Sequence, residues 1–316
     1  MITNFSLDES NTLVESSLPL TQAVWIDIFN PSAEERKLIA QQLKISLPQH
    51  NEMYQIEFSN RFYEENQALY LSVYVVTKSS PIPESHVVTL IITENQLVTL
   101  RYSDPNPIKN FISQVAVRQY KAQNHQEIFV LLLKTLVGKN ADIFEAIGER
   151  SDQLAQTLIS SIKRVNQTVR GKNLNDTLRE INRLENLLAK GYQSLSSYGL
   201  LISYLQQTPA EWYKCLDTIN VDIQVLLRHG EHLGHKLEFQ LESTLGLINI
   251  EQMFIVKIFT VLAMVFMPPT LIASIYGMNF ARMPELSVPY AYPIVLLLMF
   301  ASAFLPYRFF KRKGWI

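Results

Sequence analysis

Two uncharged apolar runs dominate the pattern of hydrophobic and polar positions: residues 258–281 and 287–307 contain no Asp, Glu, Lys or Arg. Each exceeds the roughly 18 to 20 residues that a membrane-spanning helix needs, which predicts spans at about 254–276 and 288–308. Upstream, the short β-branched or aromatic runs VWIDIF (24–29), ALYLSVYVV (68–76), HVVTLIIT (86–93) and QLVTLRY (96–102) predict strands. The last two, separated by Glu94 and Asn95, predict a hairpin. Between the first two, NPSAEE at 30–35 predicts a helix start with a Ser32/Glu35 capping box.

From about Pro107 the period changes, and apolar residues recur every three or four positions through 128–159 and 174–205. Breaks are predicted near 169–175 and at Thr208-Pro209. No proline occurs between 210 and Pro268, so one long helix is expected to continue into the first span, with Gly230, Gly234 and Gly246 as its weak points. About 60 such residues would reach roughly 90 Å. The chain thus reads as an α/β cytoplasmic domain at 1–120, long helices forming a stalk at 121–250 and a transmembrane hairpin at 251–316.

Charge sets the orientation and removes some partners. Arg308, Lys311, Arg312 and Lys313 follow the second run and Lys257 flanks the first, while the connecting loop sets Arg282 against Glu285. Both termini are therefore expected on the cytoplasmic side of the membrane. A net charge of -1 argues against nucleic acid, and the single cysteine, Cys215, excludes an intrachain disulfide and a cysteine zinc site. The N-terminus has neither the basic nor the apolar region of a secretory signal. No nucleotide-binding Gly-x-x-x-x-Gly-Lys-Ser/Thr occurs, no nucleophile-base constellation stands out, and neither enzymatic activity nor a cofactor is expected.

One face of the first span carries its candidate chemistry. Stepping 100° per residue from Thr260, the positions Val256, Thr260, Ala263, Met267, Thr270 and Ser274 fall within about an 80° arc. Close helix packing and the lining of a wet path both explain small and hydroxyl-bearing residues there. The same arc continued toward the N-terminus collects Met253, Asn249, Glu242, Glu238, His235 and Glu231. Such acids are ordinarily a solvated face, but several copies around an axis would form a negative vestibule that attracts cations. Two helices cannot enclose a path, so a pore requires several copies with the first span innermost. At its end stands Tyr276-Gly277-Met278-Asn279-Phe280, in which glycine frees the backbone and asparagine presents an oxygen to the axis. Glu285 is placed to concentrate cations outside it.

Tyr-Gly-Met-Asn at the end of the first of two C-terminal spans, Met283-Pro284-Glu285-Leu286 after it, and a second span closed by Lys311-Arg312-Lys313 resemble the CorA family of magnesium and cobalt transporters. The resemblance implies a funnel-shaped homopentamer in the lipid bilayer whose long helix lines the pore. Gly277, Met278 and Asn279 would form the selectivity filter, and Val256, Phe259, Ala263, Met267, Thr270 and Ser274 would match pore-lining positions. It further implies influx of Mg²⁺, with Co²⁺ and often Ni²⁺, closed by intracellular Mg²⁺; Asp217 and Asp222 are candidate regulatory ligands. Met253 departs from the asparagine common at the inner mouth. Two alternatives stand beside this reading. A zinc-transporting branch of the superfamily is suggested by His229, His232 and His235, whose steps of three suit a surface role better than a metal site. A membrane-anchored binding module would explain the hairpin but not the polar arc.

Overall fold

The structure is a computed structural model that describes residues 1–53, 61–77, 83–118, 120–164, 171–207, 215–278, 284 and 289–314. It divides into two units, residues 1–157 with 177–241, and residues 158–176 with 242–316.

The first unit is built on a seven-stranded sheet in the order β2-β1-β3-β7-β6-β5-β4. Its strands are β1 (Ile2–Leu7), β2 (Leu13–Ser16), β3 (Trp25–Phe29), β4 (Phe62–Glu65), β5 (Ala68–Thr77), β6 (Glu84–Ile92) and β7 (Leu97–Arg101). Among the described residues only β3 and β7 pair in parallel. The expected hairpin is β6 and β7, running from Ile92 opposite Leu97 to Val88 opposite Arg101. Alternation along each strand feeds two cores. Trp25, Leu71, Val73, Leu90 and Leu97 join Phe111, Phe129 and Phe144 on one face, while Ile26, Ile28, Tyr70, Ile91 and Val98 join Ile39 and Met53 on the other.

Three strands escaped the sequence reading. β1 and β2 are short and bury little besides Phe5 and Leu13. Side chains build the turn between them: Asp8 Oδ1 accepts from the Ser10 and Thr12 amides at 2.9 and 2.8 Å, and Asn11 takes φ 58°. β4 has four residues at the sheet edge. Past it, β5 has an open edge that side chains satisfy. Arg61 Nη2 donates to the Ser72 carbonyl at 3.1 Å, Ser194 Oγ donates to the Tyr74 carbonyl at 2.7 Å, and the Tyr74 amide donates to Ser197 Oγ at 3.1 Å. Those bonds dock a helix on the sheet.

Helices α1 (Ala33–Leu43) and α2 (His50–Met53) follow β3, and α3 (Asn106–Arg118), α4 (His125–Arg164), α5 (Gly171–Leu205), α6 (Leu216–Tyr276) and α7 (Ala291–Arg312) follow the sheet. The capping box of α1 forms as the sequence predicts: Ser32 Oγ accepts from the Glu35 amide at 3.2 Å, and Glu35 Oε2 accepts from the Ser32 amide at 2.8 Å. The break near 169–175 falls partly on undescribed residues, with α5 starting at Gly171; the break at Thr208-Pro209 lies outside the described residues.

α6 is one helix of 61 residues, and Gly230, Gly234 and Gly246 do not interrupt it. Gly230 is a packing notch rather than a weak point. A Cβ there would stand 2.7 Å from the Tyr192 ring and 2.8 Å from Phe144, and one at Gly191 of α5 would stand 2.4 Å from the same Phe144. Phe144 is thus held between two glycines, and Tyr192 donates its hydroxyl to the Leu227 carbonyl at 2.6 Å. In the second unit Leu158, Leu174 and Leu247 form a small cluster.

The sheet also buries a charge. Asp27 accepts from Arg101 Nη2 at 2.9 Å and from Thr99 Oγ1 at 2.6 Å, and Arg101 Nη1 pairs with Asp104. Burial works against the guanidinium charge, but the two carboxylates outweigh it and push its pKa up. Breaking such a pair from one side strands a charge indoors.

Two outcomes follow from this packing. Gly230→Ala forces Phe144 toward Gly191, so it should cost about 1–3 kcal/mol and lower the thermal midpoint by several degrees; adding Phe144→Leu should recover part of that loss, and an additive double variant would refute the notch. His125 and His86 have pKa values depressed below 6.5, first by burial, and His125 Nε2 has no partner among the described residues. As pH falls through 6.5 the unfolded chain takes up these protons first, so stability present above that pH is lost below it. His125→Asn should flatten the decline in unfolding midpoint between about pH 7.5 and about 5.5, and an unchanged slope would count against it.

Candidate functional site

Every pore-lining position expected from the sequence lies on α6. Val256, Thr260, Ala263, Met267, Thr270 and Ser274 are exposed on one uninterrupted helix, and so are Met253 and Phe259. Val261, one step of about 100° from Thr260, is instead buried at 8 % exposure. Met264, about 40° from Thr260 on the same side, lines a cleft with Leu305, Pro306, Phe309 and Phe310 of α7. The second span therefore lies beside the arc and leaves it uncovered. The helix continues through Pro268 and Pro269, whose missing amides deprive the carbonyls four residues back of their usual donors.

The hydroxyls of the arc have a direction. Thr260 Oγ1 donates to the Val256 carbonyl and Thr270 Oγ1 to the Phe266 carbonyl, both at 2.8 Å. Their donors are consumed, so what they present outward is oxygen lone pairs. Helix-borne threonine habitually bonds backward in this way, a signal already present in the sequence. A lining of acceptors suits the outward hydrogens of a hydrated cation.

At the end of α6 the Gly277 amide donates to the Ala273 carbonyl at 2.9 Å, and the Met278 amide to the Ile275 carbonyl at 3.3 Å. The special backbone freedom expected of Gly277 is not used: the only glycine with positive φ among the described residues is Gly314. A Cβ at Gly277 would meet the Ala273 carbonyl oxygen at 3.1 Å, which requires a shift of a few tenths of an ångström. Met278 is 48 % exposed. Asn279 and Glu285 lie outside the described residues. The helix ends with carbonyls directed along its axis, which places the negative end of its dipole beside this turn.

The acids sit on exposed positions: Glu231 and Glu238 in the first unit, Glu242 and the amide of Asn249 in the second. Asp217 accepts from Gln206 Nε2 at 2.8 Å, and Asp222 lines a cleft with Lys134 and Gly138 of α4. Five residues apart on a helix, the two aspartates point about 140° from one another and are not brought together. His229, His232 and His235 are exposed, with His235 Nδ1 3.7 Å from Glu238. Among the described residues no three His, Cys, Asp or Glu side chains gather as a metal site.

The profile of the CorA-like Mg²⁺ transporter protein family matches residues 21–312. The chain belongs to that family. It is 31 % identical to the magnesium transport protein CorA of Mannheimia succiniciproducens and 32 % identical to that of Escherichia coli K12, in each case over the full length of both chains. Its fold is similar to that of the complete CorA magnesium transporter from Methanocaldococcus jannaschii, with a TM-score of 0.76 at 18 % identity over 100 % of this chain and 99 % of that one. The full-length CmaX protein is a further structural relative, with a TM-score of 0.67 at 11 % identity over 98 % and 96 % of the two chains.

As a CorA-family chain the protein is a transporter and not an enzyme. It resides in the inner membrane with two spans, carried by α6 and α7, and a cytoplasmic N-terminal domain. Arg308, Lys311, Arg312 and Lys313 thus cluster on the cytoplasmic side. Because Gly277 uses no left-handed backbone and a Cβ there asks for a shift of only a few tenths of an ångström, Gly277→Ala should fold and reach the membrane at wild-type levels, with an unfolding midpoint within about 2 °C of wild type. Failure of the variant to accumulate would contradict this.

Proposed function

We propose that the protein conducts Mg²⁺ into the cell, with Co²⁺ and Ni²⁺ as further substrates, along a path lined by the arc of α6 in a homopentamer. The observation that carries the proposal is that the acceptor-lined face from Val256 to Ser274 is left open by the chain's own second span. A polar face open to hydrocarbon is unfavourable, and additional copies arranged around it convert it into a wet lining.

The chemistry suits a hydrated divalent ion. Mg²⁺ surrenders water reluctantly, so a ring of oxygens that binds the water shell passes it more readily than a carboxylate cage. The run from Ile258 to Ala281 contains no acid, which avoids a trap in the narrow part of the path. The filter in this proposal is Gly277, Met278 and Asn279, approached from outside by way of Glu285. Helix dipoles converging with their negative ends at Met278 add attraction for the ion. On the cytoplasmic side Glu231, Glu238, Glu242 and Asn249 line the exit. At about 100 mV, negative inside, a divalent cation gains about 4.6 kcal/mol on entry, so no other energy source is needed. Intracellular Mg²⁺ closes the path in this proposal, with Asp217 and Asp222 as candidate ligands toward neighbouring copies; both are exposed.

The decisive test is Mg²⁺ uptake by wild type and Asn279→Ala in cells lacking other magnesium uptake. The variant is expected to accumulate normally and to lose most of its uptake. Wild-type uptake by the variant would remove Asn279 from the filter.

A further inference from the structure

A second site, independent of the ion path, lies at the cytoplasmic end of the hairpin. A cleft of roughly 770 Å³ within the second unit is lined by Met264 of α6 and by Leu305, Pro306, Phe309 and Phe310 of α7, with Arg308 and Arg312 at its rim. The two arginines are one helical turn apart and share a face. Neither forms an ion pair with any described residue. The neighbouring lysines behave differently: Lys311 Nζ stands 5.9 Å from the Tyr307 ring centre and Lys313 Nζ 5.9 Å from that of Phe309. Their charges are engaged over aromatic faces, leaving the arginines to define the cleft.

We infer that this cleft binds one anionic phospholipid of the cytoplasmic leaflet, its phosphodiester held by Arg308 and Arg312 and an acyl chain lying along Met264, Leu305, Phe309 and Phe310. Charge complementarity selects the occupant. The walls are apolar, as an acyl chain requires, and among the described residues the only charged groups lining the cleft are two guanidinium forks, which grip phosphate oxygens in pairs as an ammonium does not. A zwitterionic lipid brings its own cation to the same place and is disfavoured there. The positive-inside rule accounts for basic residues after the span but treats all four alike. The geometry separates two of them from the other two.

The test uses the purified full-length protein in detergent, titrated with phosphatidylglycerol or phosphatidylcholine, with bound lipid read by native mass spectrometry. Wild type should retain phosphatidylglycerol in preference to phosphatidylcholine. At roughly fivefold per basic residue, Arg308→Gln/Arg312→Gln should weaken that retention about thirtyfold, and Lys311→Gln/Lys313→Gln by less than about twofold. Equal losses in the two double variants would overturn the site in favour of charge alone, and no preference over phosphatidylcholine would overturn an anionic occupant. Competition by inorganic phosphate at lipid-like concentrations would overturn a lipid as the occupant. Loss of the oligomer in the arginine variant with lipid retention unchanged would assign the cleft to a second copy of the chain. Should the glutamine variant fail to accumulate, Arg308→Lys/Arg312→Lys preserves the charge: weaker retention supports the forked grip, and unchanged retention refutes it.

Discussion

In hydrocarbon a backbone has only itself for hydrogen bonding, so a spanning segment must be helical throughout and any departure needs a partner. α6 carries this constraint through Pro268 and Pro269 and ends only at Tyr276. The threonine hydroxyls that bond backward to Val256 and Phe266 follow the same logic: a donor without water finds a carbonyl of its own helix. Its consequence is functional, because each threonine then shows an acceptor outward. The face of the proposed ion path is thus a by-product of how a polar side chain survives in a membrane helix.

The same helix contributes Leu216, Ile219, Ile223, Leu233 and Leu237 to the core of the first unit. Its seating there depends on shape more than on polarity. Phe144 fills notches that only glycine leaves at 191 and 230, and Tyr192 ties its hydroxyl to the Leu227 carbonyl. Further along α5, Ser194 and Ser197 complete the open edge of β5 at Tyr74. A sheet edge that would otherwise invite another strand is closed by two hydroxyls.

Much of the fold was legible because its signals are periodic. The two apolar runs, the helical periods, the β6–β7 hairpin and the Ser32/Glu35 box each follow from spacing alone. β1, β2 and β4 were not legible: β2 and β4 are four-residue edge strands, and β1, although paired on both sides, fully buries only Phe5, so little alternation is left to read. Gly230 was misread for a related reason: a glycine in a helix lowers propensity, and only the neighbour's ring reveals that the missing Cβ is required space. Gly277 was misread in the opposite sense, its backbone being ordinary.

The sequence by itself determined the two spans, their orientation, the polar arc and the Tyr276–Asn279 motif, because hydropathy, charge and a 100° step are properties of the chain in order. Only the tertiary structure decided that the second span leaves the arc open and that Arg308 and Arg312 line a cleft that Lys311 and Lys313 do not. Those are facts about which side of one helix another covers. Side-chain spacing along a single helix cannot contain them, since they depend on packing between elements distant in the chain.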